Sequence, residues 1–383
     1  MKVQETTLGA VASNIQTGPF GSQLHSSDYS DEGTPVIMPQ DIVDWKISEQ
    51  KIARVSEEHV QRLQRHKTNE GDIIYPRRGD LAKCAYITDN ETDWLCGTGC
   101  LKVTIDEARA NSKYVYYHLQ QPYSTSCIEL ATVGSTMPNL NTSILSKVKL
   151  RLPSIDIQNK VVDILSQYDE LIEVNRRRIA ILEEMAMRTY REWFVFFRFP
   201  GHETTEFVDG LPKGWKYRSV TDILQILYGK DHKLVYDGLF PIYGSGGIMR
   251  YGNEYLYEGE SVLIPRKGTL NNIILADGKF WCIDTMFYSI PKIPKICKLA
   301  FFQLKAFDME VFNSGTALPS MTIKILSCLK LLVPDEKYRT LFEQSISAIF
   351  NELTYLKKLN VTLQQMRDRL LPQLMSGQLE VTP

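Results

Sequence analysis

The 383-residue sequence has no run that approaches 18 consecutive apolar residues, so it predicts no membrane-spanning helix. Its first residues lack the apolar stretch of a secretory signal, and no export is expected. Positive charge is not in excess, since 44 Lys and Arg stand against 45 Asp and Glu. Any nucleic-acid site must therefore be local. The seven cysteines have no spacing typical of a secreted protein, and we expect reduced thiols in the cytoplasm.

Signatures of catalysis are also missing. No P-loop string G-x-x-x-x-G-K-S/T occurs, and the glycine-rich residues 244–247 (GSGG) lack its lysine. The Asp-Pro-Pro-Tyr type of string, with which amino-methyltransferases hold a flipped adenine, is absent. Cys96 and Cys100 form a C-x₃-C pair with no second close pair, which favours buried thiols over a zinc site. The sequence therefore argues against a self-contained nuclease or methyltransferase.

An internal repeat is the most informative pattern in the sequence. At an offset of 181 residues, the string ILS at 144–146 falls on ILS at 325–327, and the match continues without a gap through the segments that follow. Upstream, residues 71–79 (GDIIYPRRG) match residues 259–268 (GESVLIPRKG) with one inserted residue. Two matches in the same order indicate that the chain is built twice, each time as a β-rich unit followed by a helix.

Each copy ends in a segment whose apolar residues are spaced alternately three and four apart, the seam of a coiled coil. Such a narrow seam needs a helical partner, and the other copy, antiparallel in the same chain, is the obvious one. The alternative is that each helix packs on its own globular domain. Asn175 and Asn360 are polar seam residues that would fix the register. The residues predicted to pair the helices are Leu165, Ile172, Asn175, Ile179 and Leu182 in the first helix and Ile346, Leu353, Leu356, Asn360 and Leu363 in the second.

The globular units are predicted to be mostly β, because runs of β-branched and apolar residues alternate with glycine-rich turns. Residues 111–119 and 297–306 are candidate short helices. The predicted fold class is α+β, with two mostly-β globular domains separated by two long antiparallel coiled-coil helices and related by a pseudo-two-fold internal repeat. Residues 198–215, rich in proline and glycine, form the natural linker into the second unit.

In combination, these features resemble the specificity subunit of type I restriction–modification enzymes, over essentially the whole chain. The strings that carry the resemblance are 17–24 (TGPFGSQL), 71–80 (GDIIYPRRGD), 137–141 (MPNLN), 211–215 (LPKGW), 241–248 (PIYGSGGI), 264–269 (IPRKGT) and 318–322 (LPSMT). The first half lacks a counterpart of the LPKGW entrance. The resemblance implies that the globular units are target recognition domains, each reading one half of a split, asymmetric DNA sequence.

The implied domains are a first target recognition domain at 1–152, a long spacer helix at 153–197, a linker and second target recognition domain at 198–334, and a second spacer helix with the C-terminal tail at 335–383. A helix of roughly 57 Å, at 1.5 Å per residue, would limit the separation of the two half-sites to about 17 base pairs.

The resemblance also implies a non-catalytic subunit whose partners are double-stranded DNA, two modification (methyltransferase) subunits and, in the full complex, restriction subunits. No cofactor is expected in this chain, since S-adenosylmethionine, ATP and Mg²⁺ would belong to the partner subunits. The alternative function is a coiled-coil scaffold or adaptor that does not bind DNA.

Candidate DNA contacts in the first half lie on two loops. Arg77 and Arg78 occupy a glycine-bounded turn after an apolar strand, where a guanidinium can read guanine or clamp a phosphate. The alternative is a pair of surface cations that close a hairpin. Lys83 is a candidate phosphate contact. The other loop follows residues 18–21 (GPFG) and supplies Ser22, Gln23 and His25, of which glutamine can pair with the adenine edge.

The second half supplies corresponding candidates. Arg266 and Lys267 occupy the repeated turn, and Lys230 follows the glycine at the place parallel to the GPFG loop. Tyr243 and Ser245 lie in the glycine-rich segment, where the backbone can approach a ligand closely. Packing in the core is an equal alternative for Tyr243.

Two further segments leave alternatives open. Residues 176–178 (RRR) are either a solvated, salt-bridged helix face or a contact to DNA or a partner subunit. Residues 193–197 (WFVFF) are either a docking surface for a partner or part of the core of the second domain.

Overall fold

The computed structural model describes residues 3–132, 139–313 and 319–381. Parts of the predicted exit strings at 137–141 and 318–322 therefore lie outside the described residues. The chain forms two compact units, the first built from Met1–Val174 and Asn360–Pro383 and the second from Asn175–Leu359. No helix in the described part of the chain is both long and apolar enough to cross a membrane.

The first unit contains twelve strands and five short α-helices in its described residues, together with parts of two long helices. The strands are β1 (Gln4–Thr7), β2 (Ala12–Thr17), β3 (Tyr29–Ser30), β4 (Thr34–Ile37), β5 (Ile42–Val43), β6 (Lys46–Ile47), β7 (Ala53–Val55), β8 (Ile73–Pro76), β9 (Ala85–Tyr86), β10 (Leu95–Cys96), β11 (Cys100–Ile105) and β12 (Lys149–Leu152). The helices are α1 (Leu8–Val11), α2 (Glu57–Arg62), α3 (Ser112–Leu119), α4 (Pro122–Thr132) and α5 (Thr142–Ser146), followed by the long α6 (Ile155–Phe194).

The central sheet of the first unit has the order β2-β11-β8-β9, and all its neighbours are antiparallel. Strand β8 is buried along its whole length, as its apolar sequence predicts. A second four-stranded sheet has the order β10-β4-β7-β3. Helix α3 packs against the central sheet, and its N-terminus is capped by Asn111, whose side chain accepts a hydrogen bond from the Tyr114 amide at 3.0 Å.

The second unit repeats this plan. Its strands are β13 (Phe207–Val208), β14 (Leu211–Pro212), β15 (Lys216–Ser219), β16 (Leu224–Tyr228), β17 (Asp237–Gly244), β18 (Gly247–Gly252), β19 (Tyr257–Glu258), β20 (Ser261–Pro265), β21 (Ile274–Ala276), β22 (Lys279–Cys282), β23 (Met286–Pro291) and β24 (Lys330–Val333). Its helices are α7 (Val220–Ile223), α8 (Cys297–Lys305) and α9 (Ile323–Cys328), followed by the long α10 (Glu336–Ser376). The sheet β16-β23-β20-β21 corresponds to β2-β11-β8-β9, and the pair β15-β24 corresponds to β1-β12.

The correspondence extends to single hydrogen bonds. In the first unit, Nε2 of His118 on α3 accepts a hydrogen bond from the Arg151 amide of β12 at 3.1 Å. In the second, Oε1 of Gln303 on α8 accepts one from the Leu332 amide of β24 at 2.7 Å. A side-chain acceptor therefore ties the short helix to the last strand in both units.

The two long helices are antiparallel within each unit, which confirms the predicted fold class. In the first unit, Nη1 of Arg367 lies 2.6 Å from Oδ1 of Asp169, and Nδ2 of Asn360 donates to the Ile172 carbonyl at 3.4 Å. In the second unit, Arg178 pairs with Glu352 at 2.6 Å, while the rings of Phe194 and Phe342 are 4.9 Å apart. Earlier residues of α6 thus lie beside later residues of α10 throughout.

Most predicted seam residues are buried. Leu165, Ile172, Asn175, Ile346, Leu353, Leu356, Asn360 and Leu363 are buried, whereas Ile179 and Leu182 are half-buried. Each long helix also packs on its own globular domain, since Leu165 of α6 belongs to the core of the first unit and Ile346 of α10 to that of the second. Each adds a residue to the other core as well, Ala186 from α6 and Leu371 from α10. The two predicted alternatives for the seam therefore combine.

A polar contact in the first unit is replaced by an apolar one in the second. Asp169 receives Arg367 on one carboxylate oxygen and the Tyr117 hydroxyl on the other, each at 2.6 Å. Burial, and then the Asp169 charge, raise the pKa of Tyr117. In the repeat, Phe350 takes the place of Asp169, and its ring is 6.0 Å from that of Phe302 on α8.

The aromatic segment at 193–197 packs largely inside the second unit. Trp193 and Phe194 both contact Phe342, and Phe197 contacts Trp215 with ring centroids 6.0 Å apart. Phe196 remains 54% exposed. The core of the second unit therefore accounts for three of these five residues.

Candidate nucleic-acid interface

Three loops of the first unit converge at one end of its central sheet. The last residues of β2 and β8 pair with the first residues of β11, so the segments that follow β2, precede β11 and follow β8 emerge together. Hydrogen bonds join them: the Gly18 amide donates to the Cys100 carbonyl at 2.9 Å, and the Arg77 amide donates to the Gly99 carbonyl at 2.7 Å. We call this end of the sheet the first loop end.

Glycine is required where these loops touch. A Cβ atom at Gly18 would lie 1.9 Å from the Gly97 carbonyl oxygen, closer than any real contact. Gly79, after the two arginines, has a φ of 88°, which disfavours other L-residues. Gly18 is therefore explained by the packing of one loop on another, and Gly79 by the turn that carries the cations.

The second unit builds a matching loop end. Its Gly229 amide donates to the Met286 carbonyl at 3.0 Å, and its Arg266 amide donates to the Thr285 carbonyl at 2.8 Å. A Cβ atom at Gly229 would lie 2.0 Å from the Ile283 carbonyl oxygen. Gly268 has a φ of 87°, matching Gly79. The repeated strings thus fold into the same turn in the same place.

The chain also leaves both turns in the same way. The Leu140 amide donates to the Arg77 carbonyl at 2.9 Å, and the Met321 amide donates to the Arg266 carbonyl at 2.8 Å. Each arginine is thus fixed at its backbone by two neighbouring segments. The rigidity belongs to the backbone, and it places a cationic side chain at the same point of each unit.

The predicted residues of the first unit differ in the exposure of their side chains and in the contacts that these side chains make. Arg78 is exposed, and Arg77 is half-buried, with no hydrogen bond or ion pair from its side chain to residues 3–132, 139–313 or 319–381. Lys83 forms an ion pair with Asp80 at 3.2 Å, which reduces its charge toward a ligand. Ser22 and His25 are exposed on the loop after β2.

The side-chain oxygen of Gln23 already makes contacts within the first unit. Its Oε1 accepts a hydrogen bond from the Phe20 amide at 3.2 Å and lies 3.5 Å from Nη2 of Arg65. Arg65 is exposed and was not among the predicted contacts. It stands 42 residues away in the sequence, so no local motif marks it. Arg65 adds a further cation to the first loop end.

In the second unit, Lys230 is exposed and Lys267 is half-buried. The hairpin β17–β18 brings Ser245 beside the cationic turn, since a Cβ atom at Gly268 would lie 2.8 Å from Oγ of Ser245. Tyr243 is half-buried with its ring 6.0 Å from that of Phe280, and burial raises its pKa. For Tyr243 the structure thus supplies a packing role.

Arg266 is held more closely than Arg77. Its Nη1 donates to the Asp284 carbonyl at 3.0 Å, and its Cζ lies 5.3 Å from the centre of the Tyr228 ring. Tyr228 had no predicted role of its own. The feature of the sequence that could have identified Tyr228 is its position, immediately before Gly229 at the end of β16.

No carboxylate forms an ion pair with Arg77, Arg78, Arg266 or Lys267 among the residues that the structure describes. Such cations can meet phosphate oxygens or base edges without first breaking an ion pair. No cluster of three or more His, Cys, Asp or Glu residues suited to a metal occurs within 3–132, 139–313 and 319–381. Burial raises the pKa of Cys96 to about 12 and that of Cys100 well above its usual value, which keeps the C-x₃-C thiols protonated.

The chain is similar to known proteins over both repeats. The family profile described as "Type I restriction modification DNA specificity domain" matches residues 13–184 and 212–365. The MjaIX specificity subunit of a type I restriction enzyme from Methanocaldococcus jannaschii is 26% identical over 310 residues, which are 70% of this chain and 69% of that one. The HindI specificity subunit from Haemophilus influenzae is 19% identical over 401 residues, covering 81% and 87%.

A solved structure shares the fold. The S subunit of a type I restriction–modification system from M. genitalium superposes with a TM-score of 0.61 and 18% identity, covering 98% of this chain and 96% of that one. Because the family profile matches most of the chain, this protein belongs to the type I restriction–modification DNA specificity family. The predicted resemblance to its specificity subunits is therefore confirmed.

Proposed function

We propose that this chain gives a type I restriction–modification complex its DNA sequence specificity by reading a bipartite, gapped target with its two loop ends. The observation that carries the proposal is a matched pair of cationic turns at the same end of two equivalent sheets. The turn of the first unit carries Arg77 and Arg78, and that of the second carries Arg266 and Lys267. Because the loops around the two turns differ in sequence, we expect the two half-sites to differ, which makes the target asymmetric.

The physical basis is local positive charge on a rigid backbone. Lys and Arg supply contacts to phosphates, and an arginine on a fixed turn can reach guanine in the major groove. A net charge of -1 gives the whole chain little attraction for DNA. Partner subunits that close around the duplex would then supply part of the phosphate neutralisation.

The proposed partners are double-stranded DNA, two modification subunits and, in the complete complex, restriction subunits. We propose that the chain itself is non-catalytic and that methyl transfer and any cleavage take place in the partners, which hold S-adenosylmethionine, ATP and Mg²⁺. The gap between half-sites would depend on the length of the paired helices. A function on chromosomal DNA would place the chain in the cytoplasm.

The test uses the full chain together with its modification subunits. Sequencing of methylated adenines identifies the target, and fluorescence anisotropy then measures binding to a duplex that carries it. Replacing Arg77, Arg78, Arg266 or Lys267 by Ala should cost about 1–3 kcal/mol of binding for a base contact, with preference relaxed at one position. For a phosphate contact, the loss should be uniform and the salt slope should fall by about 1.

Lys149→Ala and Lys330→Ala are the matched controls. These two lysines occupy equivalent positions on β12 and β24, are exposed, and lie outside the loop ends. Their loss should leave target choice unchanged. If the four loop-end variants methylate the same sites as wild type with unchanged affinity, the DNA-reading proposal is wrong and a protein scaffold is favoured.

A further inference from the structure

The guanidinium of Arg266 is held on two sides by its own unit. Its Nη1 donates to the Asp284 carbonyl at 3.0 Å, and the Tyr228 ring faces it with 5.3 Å from Cζ to the ring centre. The hydrogen bond restrains one nitrogen, and the ring lies within range of a cation–π contact with the group. Since guanidinium carries five N–H donors, donors remain for a ligand after one of them meets the carbonyl.

Tyr228 is well placed to act as this restraint. It is the last residue of β16, and it pairs with Phe287 of β23. The Phe287 side chain is fully buried, and its ring lies 5.1 Å from that of Tyr228. Tyr228 is nevertheless 54% exposed. One side of the tyrosine is thus supported by the core while the rest is available at the second loop end.

The first unit lacks this arrangement. Thr17 occupies the position before Gly18 that Tyr228 occupies before Gly229. No aromatic ring lies against the Arg77 guanidinium in the described part of the chain. The two loop ends therefore share a backbone and differ in how firmly their arginine is oriented.

We infer that Tyr228 is a positioning residue that fixes the plane of Arg266, so that Arg266 reads guanine in the half-site of the second unit. The inference rests on the proposed function. A phosphate accepts a cation from many directions, whereas the O6 and N7 edge of guanine requires a guanidinium in the plane of the base. An aromatic restraint on that plane matters for reading a base and adds little to a phosphate contact.

The experiment measures discrimination at single guanines. Duplexes carrying the methylation target are made with 7-deazaguanine, which lacks the N7 acceptor, at one guanine at a time. Binding to the chain with its modification subunits is measured by anisotropy. We expect one guanine of one half-site at which this change weakens binding roughly 5- to 150-fold for wild type and has no effect for Arg266→Ala.

Three tyrosine variants isolate the role of the ring. Tyr228→Leu should reduce the penalty for 7-deazaguanine at that guanine by about two- to fivefold, because the cation–π contact is lost. Tyr228→Phe keeps the ring and should restore the wild-type penalty. Tyr217→Leu removes another tyrosine of similar exposure, 56%, on β15 and should change nothing. Thermal unfolding of each variant would establish whether the second unit remains folded.

The outcomes separate the inference from the proposed function. If the wild-type complex shows no preference for any DNA sequence, the proposed function fails. If it reads its target but no guanine depends on Arg266, or if Tyr228→Leu keeps the full 7-deazaguanine penalty, the positioning role is overturned. A loss in Tyr228→Leu that is equal at every base position also overturns it, since that result indicates a general weakening of binding.

Discussion

Replacing His118 by glutamine should make the first unit less sensitive to acid. His118 is only 5% exposed, its Nε2 accepts the Arg151 amide at 3.1 Å, and its Nδ1 lies 3.1 Å from Oγ of Ser124. Burial, and then the charge of Arg151, lower the pKa of His118 from 6.5 to about 4. The folded unit therefore holds the neutral ring, and protonation would remove the acceptor that ties α3 to β12.

The sign and size of the effect follow from this shift. Between pH 6.5 and 4 the unfolded chain binds a proton at His118 and the folded unit does not, so stability is full above pH 6.5 and is lost as the pH falls through this range. At pH 5.0 the loss from His118 amounts to about 2 kcal/mol, at 1.36 kcal/mol per pH unit. His66, whose pKa burial also lowers to about 4, adds a background loss that is present in both proteins.

Glutamine is chosen because the second unit already uses it. Gln303 accepts the Leu332 amide at 2.7 Å and donates to the Leu332 carbonyl at 2.9 Å, without a titrating group. His118→Gln should therefore retain the hydrogen bond at pH 7.5 and lose about 2 kcal/mol less than wild type on transfer to pH 5.0.

Hydrogen exchange measures the effect locally, which avoids assuming that both units unfold together. Peptides from α3 and β12 should lose protection between pH 7.5 and 5.0 in wild type, after correction for intrinsic exchange rates, and lose less in the variant. Peptides from α8 and β24 are the internal control. An equal loss of protection in wild type and variant would show that His118 does not titrate as the geometry requires.

Two further changes test the packing of the first unit. Arg367→Met should destabilise it by about 2–3 kcal/mol, because the largely enclosed Asp169 carboxylate and Tyr117 hydroxyl lose the guanidinium beside them. Chemical denaturation would measure this loss. A neutral result would mean that water already solvates the carboxylate. Gly18→Ala should lower thermal stability by about 1–3 kcal/mol, since its Cβ meets a carbonyl at 1.9 Å, whereas Gly21→Ala meets nothing within 4 Å and should be neutral.

The long helices were the most predictable part of the fold. Their seams repeat over many turns, and the helices have 40 and 41 residues, two and three more than the roughly 38 that a 57 Å helix contains. The short helices at 112–119 and 297–305 also fall where they were predicted. Local periodicity carries this information, because a helix is stabilised by residues close to it in sequence.

The details of the loop ends could not be predicted. The short helices 112–119 (SKYVYYHL) and 297–304 (CKLAFFQL) align at an offset of 185 residues, whereas the later part of the repeat aligns at 181. An alignment at 181 alone therefore does not pair His118 with Gln303. Arg65 meets Gln23 only through the tertiary fold, and Tyr228 meets Arg266 across the intervening strand β23. Contacts of this kind depend on strand order, which a single sequence does not encode in any local pattern.

The exchange of a polar for an aromatic cluster makes the duplicated halves chemically unequal where the long helices meet the short ones. At the 181-residue offset, Arg367 corresponds to Ala186 and Asp169 to Phe350. In a chain assembled from two copies of its first half, each Asp169 carboxylate would face Ala186 in place of Arg367. The Tyr117 hydroxyl would be its remaining partner. Two copies of the second half would instead press Arg367 onto the rings of Phe302 and Phe350. Either symmetric hybrid would thus lose the ion pair between Arg367 and Asp169, while the loops at the sheet ends lie outside this change.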